Sequence, residues 1–198
     1  MKREENRMIA NVNGCLLELV TGDITRQETE AIVNAANGSL MGGGGVDGAI
    51  HRAAGPELLE ECKKIRREQL KGEFLPTGEA VITKGYRLKA KYVIHTVGPI
   101  WDGKDREWKM EQLADCYRNS LKLAKEKGIK SISFPSISTG AYRFPVDLAA
   151  EVALKAIVGF LKADPLEKVV MTLFSKEDYQ IYERALHKLL EEGSKEQA

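Results

Sequence analysis

The sequence predicts an α/β layer architecture, a sheet with helices packed on both of its faces. Three observations carry that reading. Short β-rich runs alternate with longer segments of helical period, which is the mark of stacked sheet and helix layers. Several of the β-rich runs are apolar without interruption, as strands buried on both faces are. No internal repeat, low-complexity tract or linker divides the chain, and 198 residues at 43% apolar and 30% charged suit one globular domain.

Strands are expected at residues 15–20, 31–34, 80–83, 92–96, 131–134 and 169–174, each rich in Val, Ile, Leu or aromatic residues and bounded by Gly, Pro or charge. Helices follow from the 3.6-residue repeat. Leu113, Tyr117, Leu121 and Ala124 form one stripe, closed by Gly128 where a C-terminal cap belongs. Ala149, Val152, Ala153, Ala156 and Phe160 form a second, and Tyr179, Tyr182, Leu186, Leu189 and Leu190 a third. A fourth, around Leu58, Leu59, Cys62 and Ile65, follows Pro56 in the helix-starting position, with one or two extra helical turns before it at 48–54. Residues 1–12 are expected to be a flexible tail, 13–192 a single domain and 193–198 a frayed end.

Composition excludes several classes of function. Thirty basic and 29 acidic residues leave a net charge of +1, so nothing in the balance calls for nucleic acid or an acidic membrane, and any bound anion must be held locally. Cys15, Cys62 and Cys116 are far apart and form no CxxC pair, which argues against a disulfide framework or a zinc site. The N-terminus lacks the apolar core of a signal peptide, and apolar stretches stop at about seven residues, far short of a membrane span. A cytoplasmic, monomeric protein is the expectation.

Two loops carry the candidate chemistry. Residues 34–48, Asn-Ala-Ala-Asn-Gly-Ser-Leu-Met-Gly-Gly-Gly-Gly-Val-Asp-Gly, run from a strand into a helix. Successive glycines leave N–H groups unshielded, and the helix start adds unpaired N–H groups and a positive dipole end, so the segment reads as an anion cradle. A plain flexible linker would have polar flanks instead of a strand and an apolar helix. The second loop, residues 136–145, also leaves a strand and enters a helix, although Ser138-Thr139-Gly140 alone would pass for an ordinary turn. Ligands of open α/β sheets bind at the carboxyl ends of strands, and two such loops at one edge suit a diphosphate.

A literal GxGxxG occurs at Gly43, Gly45 and Gly48, but eight residues, 35–42, separate it from the strand it should follow directly, so a dinucleotide fingerprint is rejected. Asp47 is informative, since a carboxylate within a few ångströms of a diphosphate is repelled by roughly 1–4 kcal/mol. It either caps the first helical turn or orients a water beside the group attached to the diphosphate. His51, four residues on, shares its helix face, as a dyad partner or as an inward-facing residue would. Asn37 can shape a turn with Gly38 or bind ribose hydroxyls. Asp23 can cap a turn or accept from the exocyclic amine that distinguishes adenine. His95 reads as a core histidine.

The assembled motifs are Gly22-Asp-Ile-Thr25, Ala31-Ile-Val-Asn-Ala-Ala-Asn37, the block from Gly42 to Pro56, Tyr92-Val-Ile-His-Thr-Val-Gly-Pro99 and Phe134-Pro-Ser-Ile-Ser-Thr-Gly-Ala-Tyr142. In that order they resemble the macrodomains of the MacroD type, over nearly the whole chain. The resemblance implies a three-layer α/β/α sandwich around a mixed, mostly parallel sheet, with ADP-ribose in a cleft at its edge. It implies that Asp23 and the Ile24 backbone hold the adenine and that Phe174 packs against it. Gly43, Gly44, Gly45 and Val46 would line the diphosphate on one side, and Ser138, Thr139, Gly140, Ala141 and Tyr142 on the other. Asn37 would bind the distal ribose and Asp47 would position the attacking water. The implied activity is hydrolysis of ADP-ribosyl esters, on acidic side chains of mono-ADP-ribosylated proteins and in O-acetyl-ADP-ribose, without metal or cofactor. A non-catalytic ADP-ribose or poly(ADP-ribose) reader is the other reading. Two departures from the family pattern are visible, Arg143 where many relatives have Gly and Glu79 where many have His.

Overall fold

The computed structural model describes residues 6–196. Its strands are β1 Arg7–Val12, β2 Cys15–Thr21, β3 Ala31–Ala36, β4 Ala80–Lys84, β5 Tyr92–Val97, β6 Ser131–Phe134 and β7 Lys168–Leu173. Its helices are α1 Gly45–Ala54, α2 Pro56–Glu68, α3 Arg106–Glu126, α4 Val146–Ala163 and α5 Lys176–Glu196, with a short 3₁₀ turn at Ile24–Arg26. All six expected strands are present, and they join β1 in a sheet of order β1-β2-β7-β6-β3-β5-β4. The five inner strands run parallel; only the edge strands β1 and β4 are antiparallel to their neighbours.

Alternation along the strands divides the core into two layers. On β3, Ala31 and Val33 face a cluster built with α3, α4 and α5, while Ile32 and Ala36 face a smaller cluster built with α1 and α2. Both helical layers therefore have a continuous apolar sheet face to bury, and the three-layer arrangement follows. No described helix is long and apolar enough to cross a membrane.

The expectation of a flexible tail over residues 1–12 is corrected for Arg7–Val12, which pairs along its whole length with β2. Residues 1–5 lie outside the described part. The hairpin turns through Asn13 (φ 51°) and Gly14 (φ 83°), both left-handed, which is the turn an Asn-Gly pair favours. Met8 and Ala10 pack on the core, Val12 is buried in it, and Arg7 pairs with the buried carboxylate of Glu18, which also takes Lys168 at 3.3 Å. The C-terminal end is corrected in the same way: α5 continues through Glu196, and residues 197–198 lie outside the described part.

Because β2, β3, β5, β6 and β7 are parallel, the segments that follow them all emerge at one edge of the sheet. Residues 37–44, 98–105, 135–145, 22–23 and 174–175 are thereby collected around one place, and this positions the site.

Candidate functional site

A cavity of about 350 Å³ opens between the loop after β3 and the loop after β6. Of the residues expected to form the site, Asn37, Gly43, Gly44, Gly45, Val46, Asp47, Ser138, Gly140, Ala141 and Tyr142 line it. Thr139 does not: its hydroxyl turns back to Ser136, donating to Oγ at 2.9 Å, and so braces the loop from behind.

The floor is a buried polar chain. Asp47 sits in the first turn of α1 at 5% exposure, and its Oδ1 accepts from Asn34 Nδ2 at 2.9 Å. The same amide nitrogen lies 3.1 Å from His95 Nδ1, and His95 Nε2 lies 2.9 Å from Thr83 Oγ1, whose hydroxyl donates onward to the Val93 carbonyl. The consistent assignment is that Asn34 donates to both Asp47 and His95 and that His95 carries its proton on Nε2. Burial, helped by the neighbouring His51, lowers the His95 pKa to about 3, so the ring is neutral and can accept. Burial also raises the Asp47 pKa above the ordinary carboxylate range, opposed by the Asn34 hydrogen bond and by His51. His51 Nε2 stands 3.4 Å from Asp47 Oδ1, at ion-pair distance but without a hydrogen bond.

With Oδ1 held, Asp47 Oδ2 is turned toward the glycine loop. A methyl group on Gly43 would stand 3.3 Å from that oxygen and 3.4 Å from Asn37 Nδ2, so both polar groups face one small space. Asn37 also shapes its own loop, donating to the Gly42 carbonyl at 2.9 Å and accepting from Ser39 Oγ at 2.6 Å. The turn reading of this residue holds, and its side chain also lines the cavity.

The opposite wall is anchored from the helical layer. Tyr117 on α3 accepts from Ile137 N at 3.1 Å, and Tyr182 on α5 meets Ser136 Oγ at 2.7 Å. Ser138 is buried with φ 66° and its Oγ has no partner, while Arg143 is exposed with φ 61°. Left-handed backbone at non-glycine residues costs of order 1–3 kcal/mol and collects where a loop must hold a particular shape. Gly98, just past β5, is what lets Ser138 sit there: a Cβ on it would come within 2.0 Å of Ser138 Oγ and 2.7 Å of Ile137 Cγ2.

The outer residues lie apart from the cavity. Asp23 Oδ1 accepts from Thr25 N at 2.9 Å and Thr25 Oγ1 at 2.7 Å, the capping role its position allowed. Ile24 buries its side chain against α1 and α2, and its N–H makes no hydrogen bond among the described residues. Phe174 follows the last strand at 90% exposure, and the Gly22 N to Leu173 O bond of 2.9 Å brings it beside Asp23. Sequence reasoning missed Asn34, the link to His95, and the lining residues Ala35, Ala36, Gly98, Ser136 and Ile137. The available signals were a polar residue inside an apolar strand and a Gly-Pro pair at a strand's carboxyl end. Among the described residues, no group of three or more His, Cys, Asp or Glu side chains converges to hold a metal.

Comparison with known proteins agrees with this geometry. A family model described as Macro domain matches residues 33–153. A protein of Escherichia fergusonii named O-acetyl-ADP-ribose deacetylase is 54% identical over 172 residues, covering 86% of this chain and 94% of that one. The Oceanobacillus iheyensis macrodomain with ADP superposes at a TM-score of 0.93 with 53% identity, covering 96% of this chain and 99% of its own. A point mutant of that macrodomain with ADPR gives 0.92 and 53%, covering 94% and 100%. With the family model covering more than half of its length and relatives above half identity along nearly all of it, the chain belongs to the macro domain family.

Proposed function

We propose that the protein binds ADP-ribose and hydrolyses its esters, O-acetyl-ADP-ribose and ADP-ribose attached to acidic side chains of proteins. The observation that carries this is the convergence of Asp47 Oδ2 and Asn37 Nδ2 on the space beside Gly43, at the floor of a cavity walled by the loops after β3 and β6. Similar proteins named O-acetyl-ADP-ribose deacetylase, and the ADP and ADPR in the similar macrodomain structures, support the same reading.

In the proposed complex the diphosphate lies between Gly43–Val46 and Ser138–Tyr142, with the distal ribose on Asn37. Asp23, through the oxygen its cap leaves open, and the Ile24 N–H receive the adenine, and Phe174 covers the ring, which accounts for an aromatic left exposed at the end of a strand. Water held by Asp47 adds to the acyl carbon. The bond from that carbon to the ribose oxygen breaks, the ribose oxygen takes a proton, and the acid leaves as carboxylate with release of the remaining proton. A desolvated carboxylate is the stronger base, so the burial that raises the Asp47 pKa favours this role. The step uses water and this chain's own groups, with no metal or cofactor. Turnover measured on O-acetyl-ADP-ribose and on an aspartyl- or glutamyl-ADP-ribosylated protein, with and without chelator, tests the proposal. ADP-ribose binding with no release from either ester would make the protein a reader, and loss of turnover on chelation would point to metal-assisted hydrolysis.

A further inference from the structure

Outside the cavity, a second concavity of about 410 Å³ lies between the end of α2 and the start of the glycine loop, lined by Met41, Lys63, Arg66, Arg67, Lys71 and Gly72. Four of those six residues are cationic, in a chain whose net charge is only +1. Nearby carboxylates compensate them poorly. Glu60 lies 3.3 Å from Lys63 and Glu68 4.0 Å from Arg67, both as exposed pairs, which contribute little. Arg66 and Lys71 have no carboxylate partner among the described residues.

Arg66 is held rigid without being neutralised. It donates through Nη1 to the Ser39 carbonyl and through Nη2 to the Gly72 carbonyl, each at 2.9 Å, and lies 4.9 Å over the Phe74 ring. A cation whose geometry is already set loses little entropy when an anion arrives. The groove is also close to the reacting end of the cavity, for Ser39, whose carbonyl Arg66 holds, donates through Oγ to Asn37 Oδ1 at 2.6 Å. An acyl group leaving the Asn37 and Asp47 end would carry its polypeptide past this face.

We propose that this groove receives an acidic stretch of the modified polypeptide, adjacent carboxylates meeting Lys63, Arg66, Arg67 and Lys71 while the ester enters the cavity. This rests on the ester-hydrolase reading for its biological sense, but the groove can be tested without it. An acidic peptide fits better than single-stranded nucleic acid. The patch is confined to one helix end and one loop, and no aromatic side chain lines it on which a base could stack.

The test is a nuclear magnetic resonance titration of the whole chain with octaglutamate, octaglutamine and an eight-nucleotide RNA, at low and high salt. Octaglutamate is expected to shift the amide resonances of Met41 and of residues 63–72, more weakly at high salt, with no effect of octaglutamine. The double variant Arg67→Glu, Lys71→Glu is expected to abolish the response. No response to octaglutamate, an equal response in the variant, or tighter binding of the RNA at the same residues overturns the proposal. In turnover, the variant is expected to raise KM roughly tenfold for an ester within an acidic peptide and to leave O-acetyl-ADP-ribose hydrolysis unchanged. Equal losses on both substrates also overturn it. If wild type cleaves neither ester, the hydrolase reading fails while the titration still decides the groove.

Discussion

The cavity and the proposed adenine end, where Asp23 and Phe174 lie outside it, are built on different principles. At the outer end, the Asp23 side chain bonds among the described residues only to Thr25, two residues away, and Phe174 stands almost free of the protein. At the inner end, Asp47 is buried and held through Asn34, His95 and Thr83, residues contributed by β3, β5 and β4. The outer end can adapt to a ligand at little cost. The inner end is set in advance, as the role proposed for Asp47 in directing a reacting water requires.

Removing the centre of the rigid end should have the largest effect. Asp47→Ala is expected to lower turnover by about 10²–10⁴-fold, while ADP-ribose binding holds or tightens because a charge near the diphosphate is gone. The companion Asp47→Asn sharpens the point through stability. A carboxyl whose pKa is raised on folding stabilises the folded state only at low pH, and that contribution is lost as pH rises through its folded pKa. The ionised Asp47 therefore destabilises the protein at neutral pH, and Asp47→Asn should raise Tm there while losing turnover. An unchanged Tm would mean that the carboxylate is less strained than its burial implies.

Gly98→Ala attacks the opposite wall. The added methyl forces Ser138 and Ile137 away, and a loss of about 1–3 kcal/mol in unfolding free energy with weaker ADP-ribose binding is expected from denaturant titration and calorimetry. His95→Gln tests the anchor of the chain. A histidine lowered to about pH 3 on folding contributes stability above its ordinary value, lost as pH falls through the window from there to 3. Wild type should lose roughly 1.4 kcal/mol for each unit within that window, a slope that His95→Gln flattens.

At the adaptable end the effects should be smaller. Asp23→Ala is expected to weaken ADP-ribose binding about tenfold and to cost about 1 kcal/mol as a lost cap, with turnover at saturation little changed. A variant that loses stability but keeps the full ligand-induced rise in Tm would confine Asp23 to capping. Arg143→Gly is the mildest. Arg143 occupies the left-handed conformation that glycine adopts freely and an arginine does not. The variant should gain roughly 1 kcal/mol. Calorimetry should show weaker ADP-ribose binding with a shallower salt dependence if the guanidinium reaches a phosphate, and no change if it stays in solvent.

Much of this molecule was open to local reading. Continuous apolar runs such as Val33 within β3 and Val169 within β7, and helical stripes such as that of Leu113, Tyr117 and Leu121, each state their own burial, so the layers followed from sequence. Asp23 as a cap and the glycine loop entering α1 were likewise legible, because backbone chemistry acts within a few residues. The edge strand β1 was readable from the Asn13-Gly14 turn, a hairpin signal that directly precedes the apolar run of β2. What no local pattern could state is which groups meet across the sheet. That Asn34 reaches Asp47 and His95 depends on the parallel register of β3 and β5, which sets Asn34 opposite His95. That Gly98 makes room for Ser138 depends on two loops converging from strands separated by β3 in the sheet. Burial and mutual approach of distant segments, not residue identity, set the protonation of Asp47 and His95, and only the folded chain supplies them.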